Sequence, residues 1–140
     1  MMIDPLEALL RLRRLAADEA RRGLADCLRN EDYAMHAVAL IEATVEHEMA
    51  AATSLAGGDA EVEAFAAWLH RIRPKQHAAH MAEDQAEAET ANARAVLATA
   101  RAAVQATEEM LAKHEAARLA DAERHDQQEI DEAAQRSGEH

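Results

Sequence analysis

The chain has 140 residues and a net charge of −12. That is one domain on length, and the acidic balance argues against nucleic acid or anionic lipid as partners, since both want a basic face. Its hydrophobic content is 49% with only 2% aromatic. Alanine supplies most of it, and alanine favours helix but buries little area, so the composition builds a thin seam and excludes a thick core.

Asp4-Pro5 reads as a helix start, a carboxylate cap followed by proline at the first helical position. Counting on in sevens, Ile3, Leu10, Ala17, Leu24, Glu31, Val38, Val45 and Ala52 form one row. Leu6, Arg13, Ala20, Cys27, Ala34, Ile41, Glu48 and Leu55 form a second. Arg13, Glu31 and Glu48 alone interrupt these rows, the signature of a coiled-coil seam. The spacing predicts a first arm over about residues 4–56. Cys27, the one cysteine, falls on the seam as a small packed residue; it excludes an internal disulfide and fits a reducing cytosol.

Gly57-Gly58-Asp59 is the break. Adjacent glycines free the backbone for a reversal, and Asp59 is placed to cap the next helix. The second arm is predicted over about 60–136, with Val62, Phe65, Leu69 and Ile72 at helical spacing. Pro74 removes a donor and predicts a kink or short break. The seam resumes through Ala86, Ala93, Leu97, Ala100, Val104 and Leu111, then shifts phase before Leu119 and Ile130. The fold class is therefore all-α: one domain, a long antiparallel two-helix coiled-coil hairpin whose second helix is longer by about a third.

A reversal at 57–58 makes partner numbers sum to about 115, setting Val45 near His70 and Leu10 near Gln105. The first arm then runs out near residue 112. From Lys113 onward roughly 25 residues have no intramolecular partner, and a lone polar helix of that length is marginal in water. Such a tail should fray, dimerise or dock.

Charge is uneven. Residues 1–30 carry six basic and five acidic side chains, 31–70 eight acids and no Lys or Arg, and 77–140 fourteen acids against six bases. The arginines at 11, 14, 21, 22 and 29 could meet an acidic protein or form a solvated face. The N-terminus holds Asp4 and Glu7 without an apolar run, so no secretory signal is expected, and no segment has the ~18 apolar residues of a membrane span. The expected location is the cytoplasm.

Phosphate-cradling glycine loops, CxxC pairs, nucleophile elbows and paired Glu-x-x-His motifs are missing. The sequence thus predicts no enzyme and no cofactor. His77 and His80, with Glu83 and Asp84 one turn on, offer a candidate metal face without a second-helix ligand. Phe65, Trp68, Leu69 and Ile72 gather large side chains just after the turn, either packed in the seam against Val45 and Met49 or forming a docking patch.

The closing stretch RHDQQEIDEAAQRS (124–137) resembles the end of the FliJ family, the flagellar type III export proteins, in Asp126-Gln127, Ile130-Asp131-Glu132 and Ala134-Gln135-Arg136. VEAFAAWLHRI (62–72) is similar to that family's second arm where it begins, and residues 5–29 to its first arm. The resemblance implies an antiparallel coiled coil like the central stalk of rotary ATP synthases. It also implies a non-enzymatic coupling role, peripheral to the inner-membrane export apparatus, with export chaperones as further partners. The end bearing both termini would enter the hexameric export ATPase, which assigns Arg11, Arg14, Asp126, Ile130 and Gln135 to the ring. A patch of Val45, Met49, Phe65, Leu69 and Ile72 would face the cytoplasmic part of the export gate. The chain departs from the commonly basic family members in its charge, and Pro74 interrupts a helix expected to be continuous. Two readings compete with this one: a generic coiled-coil adaptor that dimerises through its tail, and a small metal-binding helical protein.

Overall fold

The computed structural model describes residues 4–54 and 58–138. Ile3, Leu55 and Gly57 lie outside the described residues. The protein is all-α, with two helices, α1 (Pro5–Ala52) and α2 (Asp59–Gly138), and no strand among the described residues.

Local chemistry fixes the ends. The Leu6 amide donates to Asp4 Oδ1 at 3.0 Å and Pro5 occupies the first turn, so the start of α1 is capped as its sequence predicts. α1 ends at Ala52, with Thr53 and Ser54 beyond it, and the expected bound at 56 lies outside the described residues. Its last turn carries no basic residue. The Met49 carbonyl accepts from both the Thr53 amide at 3.0 Å and the Thr53 hydroxyl at 2.8 Å, and the Ser54 hydroxyl donates to the Ala51 carbonyl at 3.1 Å, so hydroxyls serve carbonyls at this end. At the start of α2 the cap differs from expectation. Asp59 is the first helical residue, and the Gly58 carbonyl accepts from the Glu61 and Val62 amides at 3.1 and 3.4 Å. Asp59 and Glu61 instead place negative charge at the positive end of the helix dipole.

The helices run 48 and 80 residues, a larger difference than the third expected. Pro74 lies inside α2 without interrupting it, so no break occurs there. The missing proline N–H strips the His70 carbonyl of its helical donor. Both residues are exposed, so water can serve that carbonyl and the helix continues.

The described chain forms two compact units. In the first, residues 19–97, α1 turns back onto α2 as a helical hairpin. Its seam on α1 comprises Ala20, Leu24, Cys27, Glu31, Ala34, Val38, Ile41, Val45 and Ala52. The α2 side is Phe65, Leu69, Ile72, Gln76, Ala79, Glu83, Ala86, Thr90, Ala93 and Leu97, in unbroken alternating steps of four and three. Glu48, on the predicted row, is exposed. Leu97 is 6% exposed, and Ala34, Ala52 and Ala86 are buried in other layers of the same seam. The Thr90 hydroxyl donates to the Cys27 carbonyl at 3.3 Å.

Register differs slightly from expectation. A sum of 115 would put Cys27 opposite residue 88 and Glu42 opposite residue 73, whereas the partners are Thr90 and Gln76.

The second unit holds residues 4–18 and 98–138. Here Leu6, Leu10, Arg13 and Ala17 face Ala100, Val104, Thr107 and Leu111. Leu10 is buried, and Thr107, at 2% exposure, satisfies its hydroxyl on the Ala103 carbonyl of its own helix at 2.8 Å. Arg14 meets Glu108 at 3.4 Å, not the residue 101 that the expected register gives. Arg13 enters the seam with its Nε buried and unpartnered. The seam keeps its phase as far as Leu111. Every residue from 112 to 138 is exposed, Leu119 and Ile130 included, so the expected phase shift has no seam to act on.

Candidate partner-binding faces

In the unit of residues 19–97, the first turns of α2 bring large side chains to one end. Phe65 and Trp68 stack with ring centroids 6.0 Å apart and planes inclined by 28°. They share a concavity of about 350 Å³ with Glu48, Ala51, Ala52, Glu61 and Ala64. The reason is the size of their neighbours: Ala51 and Ala52 leave room that two rings half fill. Val45, Leu69 and Ile72 are half-buried in the seam beside them, while Met49 is 48% exposed. The five residues of the predicted gate patch therefore divide, with four contributing to seam packing and Met49 standing outside it.

Lower in the same unit lies a polar cluster that apolar counting does not reveal. Gln76 Nε2 donates to both carboxylate oxygens of Glu42 at 3.0 Å, and His80 Nε2 donates to Oε1 at 2.8 Å. These two groups, Gln76 first, hold the Glu42 carboxyl below the usual carboxylate range; partial desolvation opposes them. His80 is thus engaged across the helix pair, and His77, one turn before it, is exposed. Among the described residues, no three His, Cys, Asp or Glu side chains gather as a metal site would require.

A third feature of this unit is the outer face of α1. Tyr33 is 79% and Leu40 69% exposed, seven residues apart on one helical stripe. The signal was present in the sequence, since both stand off the two seam rows.

In the other unit, Arg11 and Arg14 are exposed and line a groove of about 430 Å³ with Glu7, Leu10, Leu15, Asp18 and Leu111. Asp126, Ile130 and Gln135 are exposed on the bare part of α2. Ile130 follows Leu111 by nineteen residues, roughly 28 Å of helical rise, so the predicted ring residues fall into two separate groups. Asp126 and Ile130 share a face at a spacing of four, and Gln135 lies on the opposite side. Local pairs lace this stretch: Arg118 with Glu115 at 2.7 Å, Arg124 with Asp121, His125 with Glu129 at 3.3 Å, and Arg136 with Glu132 at 3.8 Å. Each is exposed and worth only a few tenths of a kcal/mol, enough to favour helix without a partner helix.

No helix among the described residues is long and apolar enough to cross a membrane. No curated protein and no solved structure matches the chain at a significant level. A family model does, over residues 2–139, and its description is Flagellar FliJ protein. With nearly the whole sequence matched, the chain belongs to the FliJ family of flagellar export proteins.

Proposed function

We propose that the chain is a non-enzymatic stalk of a flagellar export ATPase complex, coupling the hexameric ATPase ring to the cytoplasmic region of the export gate. On this reading it works in the cytoplasm at the inner-membrane export apparatus and also receives export chaperones. The observation that carries the reading is the bare end of α2. Residues 112–138 form continuous helix with every side chain exposed, an arrangement whose apolar groups, Leu119 and Ile130, gain area only from another molecule. Together with Arg11 and Arg14 this stretch is assigned to the ring, through Asp126, Ile130 and Gln135. Val45, Met49, Phe65, Leu69 and Ile72 are assigned to the gate. The absence of a glycine-rich phosphate loop or a nucleophile motif supports a binding role rather than a catalytic one.

Paired binding titrations test it, using purified ATPase and the gate's cytoplasmic part. Phe65→Ala or Leu69→Ala should weaken gate binding about tenfold, the effect of a typical anchor residue, and leave ring binding nearly unchanged. Deleting residues 124–140 should do the reverse, because the two groups share no residue and lie in different compact units. Equal loss of both partners by both variants, at full helicity, refutes the two-ended stalk. The competing reading, an adaptor that dimerises through its tail, draws on the same exposed Leu119 and Ile130. It requires a concentration-dependent dimer in sedimentation that the deletion abolishes.

A further inference from the structure

In the unit of residues 19–97 the alanine layers of the seam fit more than one register. On α2, alanine recurs every seven residues at 79, 86 and 93. A slide of one heptad there replaces alanine with alanine and alters apolar burial chiefly toward the start of α2, where Gln76 and Ala79 would take the places of Leu69 and Ile72. The polar residues behave differently. Gln76 occupies a seam position, half-buried, and reaches across to Glu42 with His80 one turn further on. One heptad along α2, the positions equivalent to Gln76 and His80 are Glu83 and Glu87. In a slipped pair Glu42 would face two carboxylates instead of two donors. A slide the other way must take up the connection between Ala52 and Asp59. The bond from the Thr90 hydroxyl to the Cys27 carbonyl discriminates less, because every turn of α1 presents a carbonyl.

We infer that Glu42, gripped by Gln76 and His80 from the facing helix, is the register lock of this hairpin, with Glu83 and Glu87 opposing the slipped alternative. A polar residue at a seam position commonly sets register at some expense of stability, and here it stands between Ile72 and a run of layers in which the alanines at 79, 86 and 93 leave the choice open. The lock keeps the two helices from sliding past one another when either is loaded along its axis.

The lone Cys27 provides the test. In the full chain, Thr90→Cys sets a second thiol at the layer of Cys27, where the Thr90 hydroxyl now reaches the Cys27 carbonyl at 3.3 Å, whereas Leu97→Cys sets one about 10 Å further along the helix, beyond disulfide reach. Under dilute, mild oxidation the first variant should close and the second stay open. Adding Glu42→Ala or Gln76→Leu should speed closure at position 97 about tenfold and slow it at 90. Gln76→Leu is decisive because it improves apolar packing. The lock predicts a higher melting temperature together with more out-of-register closure. A role in stability alone predicts that temperature and register fidelity move together. If Gln76→Leu and Glu42→Ala both leave position 97 open, with helicity intact, the seam sets the register and the lock is refuted. Should Glu42→Ala lose helicity, Gln76→Leu decides the matter by itself.

Discussion

Replacing Pro74 with alanine restores an N–H to the middle of α2, where the helix already runs uninterrupted on both sides. Proline in a helix interior costs about 3 kcal/mol relative to alanine. Part of that is offset here. Pro74 is exposed, so the His70 carbonyl it leaves unserved can be hydrated, and proline also restricts the unfolded chain by about 0.4–1 kcal/mol. No seam position is displaced, since Ile72, Gln76 and Ala79 keep their alternating spacing across it. The net expectation for Pro74→Ala is a gain of about 2 kcal/mol, which for a chain of this size raises the melting temperature by about 4–8 °C. Circular dichroism at 222 nm through a thermal ramp reads it, with a matched urea titration to check the slope. A temperature unchanged or lowered would refute the reasoning, because it would mean that the missing N–H at Pro74 costs this helix nothing.

Two further outcomes are expected from the same structure. Amide exchange should be fastest over residues 112–138, whose side chains are all exposed, and slowest around Ala86–Leu97, where burial is concentrated; slow exchange of the tail in a dilute monomer would contradict the burial pattern. The folded-state pKa of Glu42 lies below the ordinary carboxylate value, so the stability it contributes is present above the unfolded carboxylate pKa and is lost as pH falls through the lowered folded value. Glu42→Gln should therefore flatten the acid limb of a stability-versus-pH curve and leave its slope near neutral pH alone; an unaltered acid limb would show that the carboxylate bonds contribute nothing.

Both seam rows of α1 were legible because leucine, valine, isoleucine and alanine recur with a steady period, and the cap at Asp4 because proline follows it. The seam of α2 was only half legible. Gln76, Glu83, Thr90 and Thr107 occupy seam positions while reading as polar. For Gln76, Thr90 and Thr107 the role comes from bonds to the facing helix or to their own turn, which spacing does not encode. Conversely, Leu119 and Ile130 read as seam and are exposed, because α1 does not extend to cover them. Register was missed by a few residues because it was taken from a reversal at 57–58, whereas the pairings of Cys27 with Thr90 and of Glu42 with Gln76 are tertiary contacts that spacing does not encode. Of the candidate faces, the Phe65–Trp68 cluster was visible from composition. The Glu42 cluster was not, since it joins residues 34 and 38 apart in the chain.

Large buried side chains are sparse along both seams, with Leu10 in one unit and Leu97 in the other. Within each unit a layer therefore touches the layers above and below it and little else, so that energy accumulates as a running total, as in repeat proteins. Damage in such a lattice stays where it occurs: a void at Ala86 weakens the layers of Glu83 and Thr90 and is not felt several turns away. The same locality makes whole heptads modular. Seven residues taken from each helix of one unit, in matched positions, would remove complete layers and leave the survivors with their original neighbours. Length is then a variable that selection can tune without refolding the protein, fixed by the span to be bridged rather than by what holds the helices together.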